Sequence, residues 1–137
     1  MQPVIDRYRE RLKELDGGVE VILPTVDERL SEEELLEIYD HIHLFREGLA
    51  VAWKGDERFH VRPDGTPAYE ARYDHVGFFS EGLAVAHNNG QWFHIHRDGT
   101  PAYEARYDYV SNFRVELARA RKDNKRFFIR PDGTRAD

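Results

Sequence analysis

Three histidines lie close together in the middle of the chain and are candidates for metal binding. His94 and His96 are separated by one residue, so on a β-strand both imidazoles would point to the same face. A two-residue turn at Asn89-Gly90 would bring His87 beside them on the partner strand. Three imidazoles from one hairpin are a ligand set for Zn²⁺ with a fourth position open. The alternative is that these histidines are surface residues packed beside Trp92, and the sequence favours it because only this part of the chain carries the set.

A second candidate surface combines arginines with aromatic side chains. The hairpin pairing described below would place these residues on one face of successive hairpins. Guanidinium groups bind carboxylates with two hydrogen bonds, and aromatic rings supply anchors at protein interfaces. The alternative is that the arginine stems cover an apolar layer while their charged groups stay in water. The residues of this basic and aromatic stripe are Trp53, Arg58, Arg62, Trp92, Arg119, Arg121, Arg126, Phe128 and Arg130.

The sequence carries no residue pattern that is typical of a catalytic centre. It has no cysteine, and therefore neither a thiol nucleophile nor a cysteine zinc site. None of its serines lies in a G-x-S-x-G motif, and no glycine-rich phosphate loop is present. Carboxylates recur at regular intervals, as at Asp64, Asp98 and Asp132, whereas an active site is needed once. We expect these aspartates to form turns, and we expect a protein that is not an enzyme and uses no cofactor.

The candidate residues are positioned by a unit that the chain repeats. Phe45, Phe79 and Phe113 lie 34 residues apart, and the first two copies end in the identical string DGTPAYEAR. A fixed period of this length is typical of stacked supersecondary units. We divide the chain into an N-terminal part, residues 1–38, and three repeat units, residues 39–72, 73–106 and 107–137.

Each unit is predicted to form a β-hairpin followed by a shorter third strand. In the second unit, β-prone runs flank Asn89-Gly90, the residue pair most typical of a two-residue hairpin turn. The third strand is predicted at Pro101–Ala105, at an edge of the sheet because proline cannot donate a hydrogen bond. The pairs expected in the second hairpin are His87 with Trp92, Ala86 with Phe93, Val85 with His94, Ala84 with Ile95 and Leu83 with His96.

This pairing gives the hairpins two different faces. The core face combines small with large apolar residues in every unit, and we expect it to pack between stacked units. Its residues are Ala50, Ala52, Phe59 and Val61, then Ala84, Ala86, Phe93 and Ile95, then Ala118, Ala120, Phe127 and Ile129. The opposite, variable face differs between units, and we expect it to be free for binding. Its residues are Leu49, Val51, Trp53, Arg58, His60 and Arg62, then Leu83, Val85, His87, Trp92, His94 and His96, then Leu117, Arg119, Arg121, Arg126, Phe128 and Arg130.

Two segments of the second unit match a known repeat pattern. Phe79–Val85 reads FSEGLAV, close to F-x-E-G-L-A-x-V, and Gly90-Gln91-Trp92 followed by Ile95 fits G-x-W-G-x-I-D. On these residues the unit resembles the WG repeat of bacterial proteins, although Phe93 stands where the family has its glycine. The resemblance covers residues 39–137 and implies β repeats that act as non-catalytic modules attached to varied partners. It implies no catalytic residue.

The residues before the repeats are predicted to form two helices and a short strand. Pro3–Leu15 carries apolar residues at helical spacing, and Val19–Leu23 is β-prone. Glu32–Ile38 follows Ser31, which would cap the helix together with Glu34. We expect this N-terminal part to cover an exposed end or face of the repeats, because a short array leaves edges to protect.

Charge and composition narrow the class of partner. The formal net charge is −6, which argues against a general nucleic-acid-binding protein. No apolar run is long enough to span a membrane, and the first residues lack the core of a signal peptide. We expect a cytoplasmic protein, monomeric or weakly self-associating, that binds an unknown protein partner and neither nucleic acid nor membrane.

The sequence therefore predicts a mainly β repeat protein with two N-terminal α-helices. Its three antiparallel hairpin units would form an open stacked array, which we favour over a closed propeller because the units are few. The favoured function is a non-enzymatic module for protein–protein interaction or scaffolding. The alternative is a metal- or small-ligand-binding protein that uses His87, Trp92, His94 and His96.

Overall fold

The fold is known from a computed structural model, and the structure describes residues 29–136. The helix predicted at Pro3–Leu15 and the strand predicted at Val19–Leu23 lie outside the described residues. Within residues 29–136, the helical segment is too short to cross a membrane. In chain order the elements are α1 (Glu32–Ile38), β1 (His41–Ile42), β2 (Ala50–Lys54), β3 (Glu57–Val61), β4 (His75–Ser80), β5 (Leu83–Asn88), β6 (Gln91–Ile95), β7 (Tyr109–Val110), β8 (Ala118–Lys122) and β9 (Lys125–Ile129).

Within residues 29–136, nine strands form three small antiparallel sheets, one in each repeat unit. The strand orders are β1-β2-β3, β4-β5-β6 and β7-β8-β9, and every neighbouring pair is antiparallel. The prediction of a mainly β protein built from antiparallel hairpins is confirmed. Each sheet is too small to bury its own apolar side chains, so the sheets depend on one another for a core.

The second hairpin has the predicted register over most of its length. Its turn residues Asn89 and Gly90 have φ values of 52° and 79°, as a two-residue hairpin turn requires. The predicted pairing of Leu83 with His96 is wrong, because β6 ends at Ile95 and Leu83 pairs with Ser80 on the other side. The confirmed pairs are Ala84 with Ile95, Val85 with His94, Ala86 with Phe93 and His87 with Trp92.

The third strand of each sheet precedes the hairpin, so the prediction of a strand at Pro101–Ala105 is wrong. Pro101 makes only an isolated bridge with Ile95, and β4 pairs with β5 instead. The register of β4 shifts between Val76 and Phe79, and both side chains are only 2 % exposed. This bulge brings residues at an odd spacing to the same buried side. It breaks the alternation by which a strand is recognised in a sequence.

Successive sheets stack so that the core face of one unit covers the variable face of the unit before it. Phe79 pairs with Ala84 on the core side of the second sheet, and its ring centroid lies 4.4 Å from that of His60 in the first unit. Phe113 and His94 repeat the contact at 4.5 Å between the next two units. The alanines and large apolar residues of the core faces are almost fully buried, except Phe127 of the third unit, which is partly buried.

Backbone hydrogen bonds also join each sheet to the next. The N–H of Arg58 donates to the carbonyl of Tyr73 at 3.0 Å, and the N–H of Tyr73 donates back to the carbonyl of Arg58 at 3.1 Å. Trp92 and Tyr107 exchange the same two bonds at 2.9 and 3.0 Å. The outer edge of β3 and of β6 is therefore closed by the start of the following unit.

Helix α1 has the predicted capping box. The Ser31 hydroxyl accepts the N–H of Glu34, and the Glu34 carboxylate accepts the N–H of Ser31, both at 3.1 Å. The second helix of the prediction is thus present with the expected bounds, and the first lies among the residues that the structure does not describe.

Helix α1 and the adjoining Leu30 pack on Gly65 of the first unit, and the equivalent glycine of each later unit contacts a tyrosine instead. A Cβ added to Gly65 would lie 2.7 Å from a Leu30 methyl and 3.5 Å from Leu35. At Gly99 in the second unit, a Cβ would lie 2.4 Å from the ring of Tyr69. Apolar side chains at α1 therefore occupy the position that a tyrosine of the preceding unit occupies further along the array.

Candidate interaction surface

The variable face is not free in the first two units, contrary to the expectation from sequence. Val51 and Val85 are 4 and 5 % exposed, and His60 and His94 are fully buried. The following unit covers these residues through Phe79 and its equivalent in the third unit. At these positions the variable face is an interface within the chain.

The buried histidines hold neighbouring units together. Nε2 of His94 lies 2.8 Å from the carbonyl oxygen of Ser111, and Nδ1 lies 2.5 Å from the Tyr103 hydroxyl. A carbonyl can only accept, so Nε2 donates to it and Nδ1 accepts from the hydroxyl. Burial lowers the pKa of His94 to about 4 and raises the pKa of Tyr103, so both groups are neutral near pH 7. His60 makes the equivalent pair of contacts, and burial lowers its pKa to about 4 as well.

The three histidines of the predicted metal set are not brought together as ligands. Both ring nitrogens of His94 are used in hydrogen bonds, and His96 is exposed beyond the end of β6. His87 packs on Trp92 with ring centroids 4.6 Å apart. In the part of the chain that the structure describes, no group of three or more His, Asp or Glu side chains could hold a metal ion.

A ladder of carboxylates links the turns of successive units. The Glu47 carboxylate accepts the backbone N–H groups of Glu81 and Gly82 at 2.8 and 2.9 Å. The Glu81 carboxylate accepts those of Val115 and Glu116 at 2.5 and 2.8 Å. Each link is a pair of charge-assisted hydrogen bonds from one unit to the next.

The third unit lacks the glutamate and the histidine through which the first two units form hydrogen bonds to the unit that follows. Val115 stands where the first two units carry the ladder glutamate, Phe128 where they carry the buried histidine, and Arg119 where they carry valine. Val115 is 87 % exposed and Phe128 is 47 % exposed. Neither valine nor phenylalanine can make the hydrogen bonds of its counterparts. These substitutions make the last variable face chemically different from the other two.

An open groove of about 470 Å³ lies on this part of the third unit. It is lined by aromatic and cationic side chains from all three strands of the sheet. We call the groove and its lining the end face. The lining residues are Tyr109, Arg119, Ala120, Arg121, Arg126, Phe127 and Phe128.

Several arginines of the predicted stripe have structural partners elsewhere. Arg62 donates to the carbonyl oxygens of its own turn, and Arg130 does the same in the third unit. Arg58 lies 4.0 Å above the Trp53 ring, and its guanidinium is 3.3 Å from Nδ1 of His75. These three guanidinium groups contribute to the fold of the units, and they lie outside the end face.

Among the described residues, the arginines of the end face have no such partners. Within residues 29–136, the side chains of Arg119, Arg121 and Arg126 make no hydrogen bond or ion pair, and all three are exposed. The structure therefore brings together Arg119, Arg121, Arg126 and Phe128 from the predicted stripe. Trp92 adjoins this group, because its ring centroid lies 5.6 Å from that of Tyr109.

Like charges face each other directly in the third hairpin. Arg121 pairs with Arg126, and Lys122 pairs with Lys125. Directly opposed like charges destabilise a sheet. Sequence reasoning named neither lysine as a functional residue, although applying the second unit's register to the third hairpin would have paired them. It also missed Tyr109. The sequence could have pointed to this residue, because the other two units carry a histidine at the same strand position.

The comparison with protein families agrees with the repeat pattern. The sequence profile of the family described as "WG containing repeat" matches residues 61–92 and 95–125. These two stretches therefore have the sequence of WG repeats. The predicted resemblance is confirmed. Each matched stretch runs from the end of one sheet's last strand into the last strand of the next sheet, so a WG repeat spans the junction between two sheets. Among curated proteins and among solved structures, none matches the chain.

Proposed function

We propose that the chain is a non-enzymatic WG-repeat module that binds another protein through the end face. The observation that carries the proposal is the group of three exposed guanidinium groups, without partners among residues 29–136, around the exposed ring of Phe128. Arginine and aromatic residues are the side chains that dominate binding energy at protein interfaces. The positions equivalent to Arg119 and Phe128 are buried against the next unit in the first two units, so this part of the face is suited to being covered.

The environment of the titratable groups supports a binding role over a catalytic one. The two buried histidines are neutral and use both nitrogens within the fold. The carboxylates of Glu47 and Glu81 accept backbone N–H groups, and that of Asp98 accepts both the N–H and the hydroxyl of Thr100. Groups that are committed to such bonds are poorly placed to exchange protons with a substrate.

A comparative pull-down tests the proposal. The tagged chain would be immobilised and exposed to a native lysate of its source organism, beside an Arg119→Glu/Phe128→Ser variant. Lys54→Glu is the matched control, because it makes the same charge change on the exposed end of the first hairpin. We expect a protein that is retained by the wild-type chain and the control and is lost from the variant. Identical retained proteins in all three samples would contradict binding through the end face.

A further inference from the structure

We infer that the partner presents an extended acidic segment that lies across the end face. Its backbone would form hydrogen bonds with the outer edge of β9 at Arg126. This inference rests on the proposed function and specifies the chemistry of the partner. Three independent features support it: the state of the strand edge, the charge of the face, and the absence of a complementary surface on a second copy of the chain.

The strand edge at Arg126 is open at a place that is closed in the other two sheets. The backbone N–H and carbonyl of Arg58 and of Trp92 each bond to the first tyrosine of the next unit. The same two groups of Arg126 have no backbone partner among residues 29–136. An extended residue from a partner can occupy this position with the two hydrogen bonds seen in the earlier units. Further along β9 the edge is already occupied, because Ala136 donates to the carbonyl of Phe128.

The positive charge of the third hairpin favours an anionic partner. Arg121 and Arg126 oppose each other, as do Lys122 and Lys125, and no carboxylate pairs with them in the described part of the chain. In the first hairpin the pair equivalent to the two lysines is Lys54 with Glu57, which has opposite charges. Carboxylates on a bound segment would reduce the repulsion between the opposed cations. They would also accept two hydrogen bonds from each arginine they contact.

A second copy of the chain does not fit this site. Two end faces brought together would oppose the same cations across the interface, which is repulsive. A head-to-tail arrangement would need the core face of a first unit to cover the end face, as core faces do within the array. That core face is already buried, with Ala52 and Val61 both at 0 % exposure. The partner is therefore a different, acidic polypeptide.

The apolar ring of Phe128 adds a requirement for the sequence of the segment. At each interface within the chain, a phenylalanine of the next unit packs on the side chain at this strand position. A bound segment that alternates acidic residues with apolar or aromatic ones would meet both the arginines and Phe128. Alternation also matches the two-residue period of an extended chain paired to a strand edge.

Fluorescence anisotropy with a synthetic probe tests the inference on the full chain. The probe is a labelled peptide of alternating glutamate and valine with one central tyrosine. We expect saturable binding that weakens with added salt, and about tenfold weaker binding by an Arg121→His/Arg126→Trp variant. That variant copies the residues of the second unit, so it removes the charges with residues that the same fold already accepts. Lys54→Glu should bind as the wild-type chain does.

Two further probes identify the kind of recognition. A peptide with the same side chains but N-methylated backbone should bind several-fold more weakly, because it cannot complete the bridge at Arg126. Equal binding of the methylated peptide would overturn the strand pairing. Equal or tighter binding of a labelled oligothymidylate of the same charge would overturn the choice of an acidic polypeptide. No binding of the acidic peptide would overturn the inference as a whole.

These results are distinguishable from failure of the proposed function. If the pull-down yields a partner that depends on the end face while the acidic peptide does not bind, the module binds protein but not through an acidic extended segment. If the pull-down shows no dependence on the end face, the proposed function itself fails, whatever the peptide does.

Discussion

Acidification should destabilise the protein in a window set by its two buried histidines. The pKa of His60 and of His94 is about 4 in the folded chain, against about 6.5 for an exposed histidine. The unfolded chain therefore binds more protons than the folded chain as the pH falls below about 6.5. The stability that the neutral imidazoles contribute is complete above that pH and is lost progressively as the pH falls towards about 4.

The size of the effect follows from the two pKa values. A difference of about 2.5 pKa units corresponds to roughly 3.4 kcal/mol for each histidine, reached only below about pH 4. At about pH 5 each site should have lost about 2 kcal/mol, and the two together about 4 kcal/mol, relative to about pH 8. That loss is a large fraction of the stability of a typical domain.

Urea unfolding followed by tryptophan fluorescence at several pH values measures this loss. His94→Gln removes one titrating group while keeping a polar side chain, so its loss of stability between about pH 8 and about pH 5 should be smaller than that of the wild-type chain by about 2 kcal/mol. His96→Gln is the matched control, because it makes the same replacement at an exposed side chain. A His94→Gln chain with the same pH dependence as the wild-type chain would refute the claim that buried neutral imidazoles set the acid stability.

Three substitutions test the packing and the turns, each by the urea midpoint. Gly99→Ala should cost about 3 kcal/mol or more, because its Cβ would lie 2.4 Å from the Tyr69 ring. Gly90→Ala should cost about 1 kcal/mol for its positive φ, because no atom of residues 29–136 lies within 4 Å of its Cβ. Equal costs of the two substitutions would contradict the close packing. Glu81→Gln should cost about 1 to 2 kcal/mol through weaker hydrogen bonds to the next turn, and an unchanged midpoint would contradict the ladder. Glu116→Gly should stabilise by about 1 kcal/mol, because Glu116 has a φ of 64° that glycine adopts without strain, and a lower midpoint would contradict this reasoning.

Local chemistry was sufficient to predict some elements of the fold. The turn at Asn89-Gly90 has a strong conformational preference, and it determined the register of the second hairpin. The cap at Ser31 was predictable because the capping box is formed by residues three positions apart in the chain. The core face was predictable from its alternation of small and large apolar residues, which recurs in every unit.

Features that depend on contacts between units were not predictable in this way. The strand β4 lacks a clear alternation because of its bulge, and the proline-containing segment that resembled a strand makes only a single bridge. His60 and His94 resemble surface residues in the sequence, and their burial depends on a phenylalanine from the next unit. The sequence could have located the end face only through a comparison of the units. In the third unit, Val115 and Phe128 replace a glutamate and a histidine that bond to the following unit in the first two.

The carboxylate ladder gives the array a direction, and the direction determines where new units can be added. Each ladder glutamate reaches forward to the next turn, while Val115 offers no such link. Consider a duplicate of residues 73–106 inserted directly after residue 106. Its turn would donate to the glutamate of the unit before it, and its own glutamate would accept from the turn of the third unit. The same duplicate placed after the third unit would meet Val115, Arg119 and Phe128 instead. Units can therefore be added between existing ones, in engineering as in gene duplication, without disturbing the third unit.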